Sequence, residues 1–306
     1  MGRGQDQRRQ RGEALARRLT RWEGLTMTKK KAGRVTEPEF EKPVKAYKNL
    51  DFLKSRAGRV LRIMAEFVEP EDRFERLKIS DTIVFFGSAR LLARKDAEEA
   101  LAAAQKHGGD VVSAQHTLEM SRYYEEARDL SCRLTKWSKE LKGHVKRFVI
   151  CTGGGPGIME AANRGAGDAK GHNIGLNISL PFEQHENPFI TRELAFNFHY
   201  FFMRKFWFAY LAKAVVIFPG GYGTMDEFFE LLTLVSTKKM GKPMPIVLYG
   251  TEYWDEVLNL DAMVKYGTIS PSDLELFHRT DSVEDAYDFI TEKLTQYHID
   301  KPGGGM

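Results

Sequence analysis

The segment Phe218-Pro219-Gly220-Gly221-Tyr222-Gly223-Thr224-Met225-Asp226-Glu227, directly after the apolar run Ala214-Val215-Val216-Ile217, constrains the fold more than any other part of the sequence. It reads as a buried strand, a glycine turn and a helix running from Thr224 to about Thr237. Glycine at 220, 221 and 223 lets the backbone turn tightly and present its N–H groups. The helix aims its partly positive N-terminus at that turn, an arrangement that accepts anions, with phosphate the usual occupant. Glu227 stands one turn inside the same helix. A phosphate cradle with an acid beside it points to chemistry on a nucleotide. Thr224-x-x-Glu227 also has capping-box spacing, so a helix cap and a catalytic acid are both open on spacing alone.

The rest of the chain supplies a sheet for that turn. Asn49 to Phe74 reads as a helix or two, with Leu50, Leu53, Val60, Leu61, Met64, Phe67 and Val68 near helical spacing. Thr82 to Phe86 is a first strand, turning at Gly87-Ser88-Ala89-Arg90. Helices follow at Ala97–Lys106 and Leu118–Leu141, then a strand at Arg147–Cys151. Thr152-Gly153-Gly154-Gly155-Pro156-Gly157 opens a helix from Ile158 to about Lys170. Further strands are expected at Asn173–Ile178, Ala214–Phe218, Met244–Tyr249 and Leu276–Arg279, with helices at Glu252–Val264 and Val283–Tyr297. Strands alternating with helices predict an α/β, doubly wound, Rossmann-like and mostly parallel sheet, helices on both faces, plus an N-terminal helical extension. Ligands then sit beyond the C-terminal ends of the strands. The expected division is a basic, disordered tail at 1–48, the helical extension at 49–78, a nucleotide-binding catalytic domain at 79–298 and a disordered tail at 299–306. No internal repeat is visible.

Net charge matters only by its distribution. Residues 1–48 carry 14 Lys/Arg against 6 Asp/Glu, while the remainder carries 32 against 36. The folded part is mildly acidic, which argues against a specific nucleic-acid partner. Met27-Thr28-Lys29-Lys30-Lys31 resembles a natural start, which makes residues 1–26 upstream sequence or a disordered arm. Cys132 and Cys151 have neither disulfide-framework nor metal-site spacing, and the histidines show no ligand pattern, so no metal is expected and a reducing cytoplasm fits best. No stretch approaches the about 20 apolar residues of a membrane span.

Two glycine turns, 152–157 and 219–223, open on the same sheet edge and can share a ligand. Neither is a dinucleotide fingerprint, since Ile158 or Glu160 stands where the third glycine belongs, and neither has the Gly-Lys-Ser/Thr of a P-loop. A monophosphate or nucleotide ester is the more natural ligand. Asp226, Glu230 and Glu160 read as solvated or helix-dipole residues. Leu194 to Leu211 is aromatic nearly all round and predicts a mostly buried helix, its rings serving a core or subunit interface. Burying Arg204 or Lys205 without a partner is costly, so at least one should meet a carboxylate or a bound phosphate. His199 reads as a satisfied interior histidine.

Taken together, Gly153-Gly154-Gly155-Pro156-Gly157-Ile158-Met159-Glu160, Met203-Arg204-Lys205 and Pro219-Gly220-Gly221-Tyr222-Gly223-Thr224-Met225-Asp226-Glu227 resemble the Lonely Guy family over about residues 80–295. These are cytokinin-activating phosphoribohydrolases, long labelled lysine decarboxylases. The resemblance implies hydrolysis of the N-glycosidic bond of a nucleoside 5′-monophosphate, AMP or a cytokinin riboside monophosphate, to free base and ribose 5-phosphate. It implies Arg204 and Glu227 as catalytic residues. It implies Gly87, Ser88, Gly154, Gly155, Gly157, Met159, Glu186, Met203, Lys205, Gly220, Gly221, Tyr222, Gly223 and Thr224 as substrate-binding, with no cofactor. Homo-oligomers, dimers or larger, are implied too. Phe202-Met203-Arg204-Lys205 stands where short plant-type members have Met-His-x-Arg-Lys, and Gly87-Ser88-Ala89-Arg90 where they have Gly-Ser-Ser. With its longer N-terminal region the chain looks more like the larger bacterial branch, described as AMP nucleosidases.

Two alternatives follow from the same residues. A non-catalytic nucleotide-binding or sensor protein would keep the glycine turns without an acid in register with an arginine. Pyridoxal-phosphate-dependent lysine decarboxylation needs a Schiff-base lysine with a pyridinium partner, and Lys205 and Lys213 have no such context.

Overall fold

The computed structural model describes residues 42–180 and 186–299. Residues 42–49 fall in a unit of their own, where Ala46–Lys48 makes one tight helical turn. All that follows concerns the unit that begins at Leu50. Of the disorder expected at 1–48 and 299–306, residues 1–41 and 300–306 lie outside the described residues, while Ala46–Lys48 is helical and Ile299 ends a helical turn.

Seven strands form one sheet: β1 Thr82–Phe86, β2 Val149–Thr152, β3 Asn173–Ile178, β4 Ala195–Phe198, β5 Ala212–Ile217, β6 Ile246–Tyr249 and β7 His278–Thr280. All neighbours are parallel, in the order β4-β3-β2-β1-β5-β6-β7. The chain winds outward from β1 through β4, returns to the other side of β1 with β5, and winds outward again. The order therefore reverses between β1 and β5, and a crevice opens there at the strands' C-terminal ends.

Buried strands of this kind are apolar on both faces, and alternation divides their side chains between two cores. Ile83, Phe85, Ala214 and Val216 face one side, where they meet α5 (Arg122–Glu140), α6 (Ile158–Asp168) and α11 (Val283–Leu294). Val84, Phe86, Val215 and Ile217 face the other. There they pack against α2 (Arg59–Arg76), α7 (Phe201–Leu211), α8 (Tyr222–Ser236) and α9 (Thr251–Val257). The remaining helices are α1 (Leu50–Lys54), α3 (Arg94–His107), α4 (Val111–Met120) and α10 (Leu260–Lys265).

The N-terminal extension joins the second core through aromatic rings. Phe74 of α2 lies 4.9 Å from the Phe196 ring and 5.4 Å from Trp207, and Phe67 lies 5.4 Å from Phe206. Burying one such ring contributes roughly 2–3 kcal/mol. Glu66 then ties α2 to the approach of α7, accepting from the backbone N–H groups of His199 and Tyr200 at 2.8 and 3.1 Å.

The sequence reading is corrected at several places. Residues 195–198 are strand rather than helix. Phe196 and Phe198 are buried while Asn197 between them is exposed, a period of two that an almost continuous aromatic run conceals. The helix that follows is not buried all round, because Phe201 and Phe202 are 50% and 54% exposed. The long helix expected at 118–141 breaks at Ser121, whose hydroxyl donates to the Leu118 carbonyl at 2.6 Å. The helix expected at 252–264 is two, the second capped by the Asn259 side chain accepting from Ala262 N–H at 2.9 Å.

Candidate active site at the sheet switch point

The glycine turn after β5 does what its composition dictates. Helix α8 begins at Tyr222 with Gly221 as its cap residue, and its first backbone bond runs from Met225 N–H to Gly221 O at 3.0 Å. The N–H groups of Tyr222, Gly223 and Thr224 come before that bond and have no acceptor one turn earlier, and these three residues line the crevice. A Cβ at Gly220 would run into the Thr224 side chain, whereas at Gly221 and Gly223 it would meet nothing. The turn is thus closed on its inner side and open outward.

Its partner turns are stitched to it backbone to backbone. Ser88 N–H, just after β1, donates to Pro219 O at 2.9 Å, and Ser88 O accepts from Ile158 N–H, the first residue of α6, at 3.1 Å. Gly157 makes the second contact possible. It has φ of 70°, and a Cβ there would overlap Ser88 O.

Because α8 starts at Tyr222, Thr224 is already helical and Glu227 lies in the second turn. The capping box does not form, and Glu227 Oε1 is buried without any hydrogen-bond partner. Arg204 of α7 comes to meet it, with Nη2 3.7 Å from Oε1 and side chains only 15% and 7% exposed. The guanidinium carbon lies 5.1 Å from the Phe201 ring centre and 5.7 Å from that of Phe208, and its Nε is also buried and unpartnered. Burial pushes the Glu227 carboxyl up to about 7 against the pull of Lys205 and Arg204, and it lowers Arg204 against the opposing effect of Glu227. Two unpartnered polar atoms on facing side chains at the cleft remain able to bond a molecule that enters it.

An open cleft of about 840 Å³ lies in front of this pair. Of the residues expected from the sequence, Gly87, Ser88, Met159, Glu186, Arg204, Gly221, Tyr222, Gly223, Thr224 and Glu227 line it. The others stand behind. Gly154 is buried beneath the Asn177 side chain and Gly155 is buried beside it, while Gly157 props Ser88. Met203 belongs to the core, Gly220 lies under Thr224, and Lys205 turns to Asp226 and Glu230 at 2.8 Å each. Those two acids are therefore ion-paired rather than merely solvated, and Glu160 accepts from the Tyr124 hydroxyl at 2.8 Å. His199, expected inside, is exposed.

Sequence reasoning missed Arg90, Asn177, Ser179 and Asn197, which line the far wall. Asn177 donates to Phe196 O at 3.2 Å, and Ser179 donates to Asn197 Oδ1 at 3.1 Å. The available signal was a polar side chain near the end of each of β3 and β4, where a buried parallel strand is otherwise apolar. Among the described residues no cluster of His, Cys, Asp and Glu has the makings of a metal site, and no helix is long and apolar enough to cross a membrane.

Fold and site define the class: a doubly wound α/β protein whose switch-point crevice is bordered by a glycine turn, a helix N-terminus and a buried Arg–Glu pair. Comparison with known proteins narrows it. A family described as possible lysine decarboxylases matches residues 159–290. The cytokinin riboside 5′-monophosphate phosphoribohydrolase LOG7 of Arabidopsis thaliana is 30% identical over 108 residues, 32% of this chain and 50% of that protein. The pyrimidine/purine nucleotide 5′-monophosphate nucleosidase of Escherichia coli K12 is 33% identical over 117 residues, 35% of this chain and 25% of that protein. The chain thus spans half or less of the length of these two relatives. A solved structure of the Moco carrier protein from Chlamydomonas reinhardtii overlays with a TM-score of 0.42 at 19% identity, covering 71% of this chain and 99% of that one. The names of these relatives agree with the resemblance to the Lonely Guy family that the motifs carry, at low identity. Among the described residues no lysine lines the cleft. Lys205 is held charged by its two carboxylates, which outweigh its burial, and Lys213 lies near the start of β5, away from the strand ends that form the crevice.

Proposed function

We propose that this chain hydrolyses the N-glycosidic bond of a nucleoside 5′-monophosphate, with AMP or a modified adenosine monophosphate as substrate. The observation that carries the reading is the buried Arg204–Glu227 pair, unbonded and facing the same cleft as the free N–H groups of α8. The 5′-phosphate docks on the N–H groups of residues 222–224, where the helix dipole favours a dianion. Ribose then lies across Glu227. As the C1′–N bond breaks, its electron pair leaves with the base and positive charge grows on the ribosyl ring. The Glu227 carboxylate faces that charge and accepts a proton from the water that attacks C1′. The departing base gains a proton, so the sum is water added across the C1′–N bond. Arg204 holds the ribosyl phosphate against this motion.

The pH dependence has a definite sign. Glu227 works as the ionised form, so kcat/KM rises with pH through about 7, the value to which burial lifts it. A panel of nucleoside monophosphates assayed by chromatography for free base, across pH 5 to 9, tests the reading. Tight binding of AMP without release of adenine would select the alternative of a nucleotide carrier or sensor.

The reading also carries self-association. Val60, Leu61, Met64 and Val68 of α2 are all about half or more exposed, and Phe201 and Phe202 add two uncovered rings on α7. Sedimentation velocity of the whole chain reads it, a dimer or larger being expected. Free thiols at Cys132 and Cys151 agree with a cytoplasmic setting.

A further inference from the structure

Arg204 and Lys205 are adjacent on α7, yet only the first reaches the cleft. Lys205 points to α8, where its ammonium bridges Asp226 Oδ2 and Glu230 Oε2 at 2.8 Å each while only 17% exposed. These acids are four residues apart on one helix face and would repel each other without it. They also flank Glu227, one residue before it and three after. No other cation among the described residues is paired with either of them.

We propose that Lys205 is a positioning residue for Glu227, tying α7 to α8 and screening the catalytic carboxyl from the two negative charges beside it. The inference rests on the nucleosidase reading and gives the second basic residue of the Arg-Lys pair a task away from the substrate. Four charged groups act on Glu227 from the two helices packed around it: Arg204 and Lys205 of α7, Asp226 and Glu230 of α8. After burial, Lys205 is the largest influence, drawing Glu227 down; Arg204 follows in the same direction, and Glu230 and Asp226 push upward. Removing the lysine therefore takes away the main counterweight and leaves both acids uncompensated.

The test titrates Glu227 itself. In the full-length protein labelled with ¹³C-glutamate, the Glu227 side-chain resonance is assigned by its loss in Glu227→Gln. Its midpoint is followed by NMR alongside kcat/KM for AMP across pH. Lys205→Met is expected to move the midpoint upward by about one pH unit and lower kcat/KM at pH 6 about tenfold, with rates converging above pH 9. Lys205→Arg restores both. Asp226→Asn/Glu230→Gln, which keeps the lysine, moves the midpoint downward and decides the matter should Lys205→Met fail to fold. An unmoved midpoint in Lys205→Met or in the double variant, or an equal loss of rate at every pH, overturns the proposal. If the unmodified protein releases no base from any monophosphate, the nucleosidase reading falls, while the carboxyl titration still judges the clamp.

Discussion

Glu227→Gln is expected to cut base release by about 10³-fold or more and, at the same time, to make the protein more stable. The first effect follows from geometry. The amide keeps the shape of the side chain but can neither face a growing ribosyl cation with negative charge nor take a proton from water. The second follows from burial. A carboxyl lifted to about 7 in the fold is ionised far more readily in the unfolded chain, so keeping it charged in the native state costs roughly 3 kcal/mol above pH 7. The sign is that of a raised acid. No cost exists below the unfolded value near 4.5, the cost grows as pH rises from there to about 7, and it is complete above that. Glutamine removes the cost together with the weak attraction to Arg204, whose contact at 3.7 Å is not a hydrogen bond. Thermal unfolding should show a midpoint about 6 °C higher at pH 8 and no gain at pH 4. A variant that is inactive and less stable at pH 8 would mean that Glu227 is a structural partner of Arg204 rather than a strained catalytic group.

Arg204→Met is expected to lower kcat/KM for AMP by about 10³-fold, through both a higher KM and a lower kcat. The methionine fits the slot between Phe201 and Phe208 and removes a buried cation, so folding stability should change by less than about 1 kcal/mol. Glu227 then loses one of its two favourable neighbours, and the acid limb of the pH profile moves above 7. Arg204→Lys should recover no more than about a tenth of the lost activity. An ammonium is a compact, strongly hydrated charge that cannot lie flat between two rings or fork to two oxygens. Steady-state kinetics with equilibrium dialysis of AMP separates the effects, since a pure binding residue would change KM alone.

Much of the fold was legible because its strands are short apolar runs bounded by glycine. β1, β2, β3, β5 and β6 fall within a few residues of where the runs place them. β4 was hidden because Phe196 and Phe198 stand next to a helix equally rich in rings, so composition drowned the alternation. The site divides along similar lines. Residues whose type alone is informative, the glycines of the turns and the Arg–Glu pair, were found. Asn177, Ser179 and Asn197 were not, since they are polar residues whose meaning depends on β3 and β4 lying side by side. Glu227 shows the limit of spacing most clearly. Three-residue spacing from Thr224 fits a cap, and only the start of α8 at Tyr222 moves the acid into the second turn. The division between Arg204 and Lys205 depends likewise on a helix rotation that sequence does not show.

The backbone stitches at Ser88 have an evolutionary side. The peptide of one residue joins the ends of β1 and β5 to the start of α6, using no side-chain atom. Apart from Gly87 and Gly157, where a side chain would collide with Ile158 or with Ser88 O, the frame that carries the phosphate cradle depends on backbone atoms rather than on side chains. Arg90, Met159, Asn177 and Asn197, which line the cleft from surrounding segments, can be exchanged without loosening that frame. On the proposed reading, selection on a scaffold of this kind can retune which base is accepted without altering the Arg204–Glu227 pair. Variation in leaving-group preference among relatives should accordingly concentrate on that wall, and the loop-to-loop hydrogen bonds should be found unchanged beneath it.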